Sequence, residues 1–137
     1  MRYENWEIRL QLVIDMWRKE KFIYGISDCC AFVAECVRAQ TGIDYYKDWM
    51  GQYNDARSAA KLIREKGFDN LREVLTKKFG QPMHISRAMH GDIVFADLSL
   101  DAPQIGICQG VMSLSCAPGG QGLEIIQTLH LQEAFNV

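Results

Sequence analysis

Two adjacent cysteines follow an aspartate in the stretch "YGISDCCAFVAECVRAQTG", residues 24–42. Cysteine attacks as thiolate, and a thiol in the first turn of a helix meets unpaired backbone N–H groups and the positive end of the helix dipole. Both favour the thiolate and can draw the pKa below the free value of about 8.5. Cys29 takes that position if a helix starts after Asp28. It also shares a stripe with Phe32, Val33, Cys36 and Val37, at i, i+3, i+4, i+7 and i+8, while Cys30 points roughly a quarter turn away. Two considerations oppose a nucleophile. Asp28 is adjacent and negative, and disfavours thiolate unless its carboxylate is turned aside as a cap. Cysteine is also among the most buried residue types, so a cysteine on an apolar stripe is usually packing. Cys36, Cys108 and Cys116 are assigned to the core.

A cysteine nucleophile also needs a base. His84 and His90 lie in "PMHISRAMHGD", and His130 follows the last apolar segment. His90 is the best placed of the three, because it comes after Cys29 in the chain and sits beside the Gly91-Asp92 turn. A surface imidazole is the simpler reading for all three. Asp92 and Asp97 bracket "IVFA" and Asp101 follows, which suggests a carboxylate pair, although caps, turns and solvent account for them more simply. The "APGGQG" at 117–122 lacks the lysine and following helix of a phosphate loop and reads as a turn. The five cysteines form no C-x-x-C pair and have no histidine at ligand spacing, so neither a structural metal nor a cofactor is expected.

The elements that must position these groups are legible in outline. Trp6, Leu10, Val13 and Trp17 line one face of a helix over residues 5–20. Ser27 and Asp28 are N-cap candidates and Gly42 a C-terminal stop for a helix over 29–41. Residues 43–53, "IDYYKDWMGQY", have no period and read as an aromatic connection. "NDARSAAKLIREKG" and "NLREVLTKKFG" predict two short helices, the second opened by Asn70 with Glu73 at capping-box spacing. From Pro82 onward "DIVFAD", "QIGICQ", "VMSLS" and "LEIIQT" are short apolar or alternating segments between turn residues. Helices first and strands second, with no crossover helices left for parallel pairing, predict an α+β fold with an antiparallel sheet.

Composition narrows the function classes. A chain of 137 residues with 48% hydrophobic content suits one domain. Its 15 basic and 17 acidic residues are mixed along the sequence, without the basic runs that track nucleic acid. The charged N-terminus does not read as an export signal, and no segment has the ~20 apolar residues of a membrane span. The expectation is a protein cytoplasmic as synthesised, with free thiols and no nucleic-acid or membrane partner.

The order "YG..DCC.FV", a helix, then "GDIVFAD" and "QIGICQG" resembles the NlpC-type branch of the papain-like cysteine peptidases. It is closer still to an uncharacterised papain-like domain family of phages, prophages and bacteria with the pattern "G..DC..F.A......TG" and later "GD" and "GI..G". The likeness covers roughly residues 20–128. It implies a papain-like fold in which Cys29 takes the nucleophile position, Asp28 precedes it, Tyr24 is the upstream aromatic, and Gly91-Asp92 opens the first core strand. Where the peptidases begin the next strand with histidine, this chain has Gln104. Glutamine hydrogen-bonds but has no proton equilibrium near neutrality. Two readings stay open. One is a catalytically silent or atypical papain-like module for tail assembly or the cell wall, with phage structural proteins as partners and association with the virion. The other is a cysteine hydrolase of peptidoglycan peptides in which Cys29 attacks, with His90 the substitute for the base.

Overall fold

A computed structural model describes residues 1–97, 103–119 and 121–137. The first helix, α1 (Trp6–Trp17), is shorter at both ends than the periodicity predicts, and it buries Leu10, Ile14 and Trp17. The Trp17 indole N–H donates to Glu35 at 3.3 Å and the Arg9 Nε–H to the Ala39 carbonyl at 2.8 Å, which fastens α1 along the second helix. That helix, α2 (Cys29–Thr41), has the predicted bounds. At its start the Asp28 carboxylate accepts the Ala31 N–H at 2.9 Å, and at its end Gly42 (φ +82°) takes the left-handed conformation that glycine adopts without strain. Phe32, Val33, Cys36 and Val37 are buried along its inner face. Burying a side chain such as Phe32 contributes roughly 1.5–3 kcal/mol.

The two short helices are α3 (Ala56–Glu65) and α4 (Leu71–Phe79). Asn70 accepts the Glu73 N–H at 2.9 Å, as its spacing suggests. The reciprocal capping box is found instead on α3, where Asp55 accepts the Ser58 N–H and Ser58 Oγ accepts the Asp55 N–H. No residue of α3 is fully buried. Among the described residues no helix is long and apolar enough to cross a membrane.

The C-terminal half forms a six-stranded sheet of β1 (Met83–His84), β2 (Ile93–Ala96), β3 (Gln104–Cys108), β4 (Met112–Ser115), β5 (Glu124–Gln127) and β6 (Glu133–Phe135). Its order is β1-β6-β2-β3-β4-β5 and every pairing is antiparallel, so the molecule is α+β as expected. The four predicted segments are β2 to β5. The flanking β1 and β6 are too short to carry a period of two.

Alternation splits β2 between two cores. Ile93 and Phe95 join Ile105, Ile107, Leu114 and Phe135 beneath the helices, while Val94 and Ala96 meet Cys108, Ala134, Ile85 and Leu131 on the reverse face. At Gly106 a Cβ would lie 2.4 Å from the Leu114 carbonyl oxygen, so β3 can approach β4 there only as glycine. Asp92 is more than a turn residue facing solvent. It is fully buried and accepts the Met89 N–H at 3.0 Å, the Val137 N–H at 3.2 Å and an Arg2 Nη–H at 3.2 Å. Asp101 lies outside the described residues.

Candidate functional site

The turn that delivers Cys29 is built around one carboxylate. Gly25 has φ +81°, and a Cβ there would lie 2.1 Å from the Tyr53 carbonyl oxygen, so only glycine fits. Its N–H donates to Asp28 Oδ2 at 2.9 Å and its carbonyl accepts the Gly51 N–H at 2.8 Å. The Tyr53 hydroxyl donates to the same Asp28 oxygen at 2.5 Å and stands 2.5 Å from the Tyr46 hydroxyl. Asp28 is buried, and with Ala31 it has three donors. Its carboxylate is therefore turned aside as the cap, although its charge still adds to the rise of the Cys30 and Cys116 thiols. Burial first, and nearby negative charge with it, pushes both phenols up, so they stay neutral donors. The tyrosine pair carries no sequence signal beyond the aromatic richness of residues 43–53.

Cys29 is half-buried in the wall of a cleft of about 920 Å³ between α2, α3, α4 and the sheet. The lining is mainly apolar and aromatic, with Phe22, Tyr24, Tyr45, Trp49, Ile63 and Phe79 prominent. Cys30 and Cys116 line it too. The Cys30 thiol is pushed up by its hydrogen bond with Cys29 and then by burial. Cys116 is pushed up to about 12 by burial, reinforced by charge on Cys29 and on Asp28. Cys36 is buried and its thiol pushed up by that burial. Cys108, on the reverse face of the sheet, packs as expected. Cys116 is buried as expected, but it also forms part of the cleft wall.

Gln104 opens β3, half-buried, and lines the same cleft as Cys29. Tyr24 is there as well, its ring edge-on to Phe22 at 4.9 Å, and so is Asp28. His90 is elsewhere. The carbonyl of its neighbour Gly91 accepts from Gln40 at 3.0 Å, and Gln40 lies eleven residues beyond Cys29 on α2, about 16 Å along the axis. The His90 ring rests against Trp6 at 5.2 Å. His84 bonds to Ser86 through Nδ1 and His130 is exposed after β5. None of the three histidines lines the cleft. Among the described residues no group of three His, Cys, Asp or Glu side chains is arranged to hold a metal ion. The four N–H groups at the start of a helix lack intrahelical acceptors, and here Asp28 takes the one from Ala31.

The family model for a domain of unknown function (DUF6950) matches residues 1–137. The chain belongs to this family. No curated protein and no solved structure matches the sequence.

Proposed function

We propose that this DUF6950 chain is a papain-like domain of the NlpC type that retains the thiol position and the cleft but not the base. It works as a binding or assembly module, of phage or prophage origin, for tail assembly or at the cell wall. The observation that carries the reading is the content of the cleft. Cys29 and Gln104 share it, and the best candidate base among the histidines, His90, stands at the opposite end of α2. A positioned general base is worth roughly 10²- to 10⁴-fold in rate, and glutamine cannot supply it. The mainly apolar lining and the large volume suit a bound peptide or side chain.

The second reading, a cysteine hydrolase of peptidoglycan peptides with Cys29 as nucleophile, is favoured by the place of Cys29 at the first position of α2 and in the wall of the cleft. One experiment separates the two. The wild type, Cys29→Ala and Gln104→His are incubated with a synthetic peptidoglycan stem peptide under reducing conditions, and products are followed by chromatography while binding is followed by calorimetry. The expected result is no turnover by the wild type, and turnover gained by Gln104→His that is lost again when Cys29→Ala is added. Wild-type turnover that disappears in Cys29→Ala would establish the hydrolase instead.

A further inference from the structure

Four of the five cysteines gather at one place, where the first two turns of α2 meet the end of β4. Cys36 and Cys116 are in the main core, with Cys29 and Cys30 packed against it. Leu114 and Cys116 are two residues apart, and strand alternation puts both on the face under the helices. The Ser115 hydroxyl donates to the Ile105 carbonyl at 2.5 Å and holds that end of the strand to β3. Cys29 and Cys116 both line the cleft, from opposite elements.

Geometry restricts which thiol can meet Cys29. A disulfide needs Cα atoms about 4.4–6.8 Å apart. Cys30 is the next residue, at about 3.8 Å across a trans peptide, short of that range. Cys36 is seven residues along the same helix, about 10 Å away by helical rise and outside the range. Cys108 is on the other face of the sheet. Cys116 is the one left that approaches from a separate element.

We propose that Cys29 and Cys116 form an oxidation site, a reactive thiol and its resolving partner, in which a peroxide converts the pair to a disulfide joining the start of α2 to the end of β4. It rests on the reading above that Cys29 is the thiol retained in the cleft. In the first step the Cys29 sulfur attacks hydrogen peroxide; the O–O bond breaks, sulfur is oxidised to sulfenic acid, and the other oxygen leaves as water. In the second, the Cys116 sulfur attacks the sulfenic sulfur, the S–O bond breaks, and hydroxide departs with the Cys116 proton as water. The disulfide closes across the cleft wall and removes Cys29 as a nucleophile. Burial pushes the Cys116 thiol up, which lowers the fraction present as thiolate for the second step.

The test treats the reduced wild type with hydrogen peroxide, blocks free thiols, and maps peptides by mass spectrometry without reduction. A crosslinked peptide joining Cys29 to Cys116, reversed by dithiothreitol, is the expected result. In Cys116→Ser the crosslink is absent and Cys29 is labelled by dimedone several-fold more than in the wild type. Cys29 driven to sulfinic acid in the wild type with no crosslink, or crosslinks that leave out either residue, would overturn the proposal. Because the wild-type map needs no variant, a poorly folded Cys116→Ser does not blunt it. The hydrolysis assay, run with reductant, reports on the cleft reading separately.

Discussion

Replacing Asp28 by alanine tests whether one carboxylate sets up the cysteine turn. The side chain is 3% exposed and accepts the N–H of Gly25 and Ala31, each at 2.9 Å, and the Tyr53 hydroxyl at 2.5 Å. Loss of a helix cap costs about 1 kcal/mol. The Gly25 N–H left buried without a partner costs roughly 1–3 kcal/mol, and the Tyr53 hydroxyl, which keeps the Tyr46 hydroxyl beside it, loses one bond at about 1 kcal/mol. The sum is about 3–5 kcal/mol, a large part of the 5–15 kcal/mol typical of a domain. For a chain of this size that is a fall of ~10–15 °C in Tm, at roughly 3 °C per kcal/mol. Urea melts read by circular dichroism give the same quantity. Tyr53→Phe removes one of the three donors and should cost about 1–2 kcal/mol. The double variant should show a coupling on the order of 1 kcal/mol, because the two groups share a bond. An Asp28→Ala midpoint within ~0.5 kcal/mol of the wild type, the range of an ordinary surface substitution, would refute the reasoning.

Gly25→Ala should be worse tolerated than any alanine placed on α3, since it combines a positive φ with a backbone oxygen at 2.1 Å; the expected loss is over ~2 kcal/mol by urea titration, and an unchanged midpoint would contradict the turn geometry. The Arg72 guanidinium, bonded to Glu133 through two contacts at 2.6 and 2.8 Å, holds that carboxyl below the usual range and ties α4 to β6. Because the folded pKa is depressed, the pair's stabilisation is complete above the unfolded value of about 4.3 and is lost as the pH falls through the folded one. Both side chains are partly exposed, so Glu133→Gln should cost only ~0.5–1 kcal/mol at pH 7. The variant and wild-type urea midpoints should converge as the pH falls below the depressed folded value of Glu133.

The helical half was legible because its signals are local. Asp28 and Gly42 bracket α2 with a cap and a left-handed stop, and the stripe from Phe32 to Val37 shows its inner face. The four longer strands were legible from alternation and turn residues. What the sequence withheld depends on contacts distant along the chain. β1 and β6 have two and three residues and exist because each has a partner. Asp92 looks like any turn aspartate until Arg2 and Val137 are brought to it. The Tyr53 bond to Asp28 spans 25 residues and leaves no spacing to recognise. At the site, Cys29, Gln104, Tyr24 and Asp28 do meet in one cleft, and His90 was the residue whose place after Cys29 in the sequence said little about its place in space.

The sheet order has a consequence for synthesis. β6 is made last of the strands, yet it sits between β1 and β2. Until residues 133–135 leave the ribosome, β2 has an open edge and the buried places of Ala134 and Phe135 are empty. A nascent chain stalled short of that point therefore presents an unpaired apolar strand, the feature that recruits a second chain or a chaperone. Insertion of three residues ends that exposure.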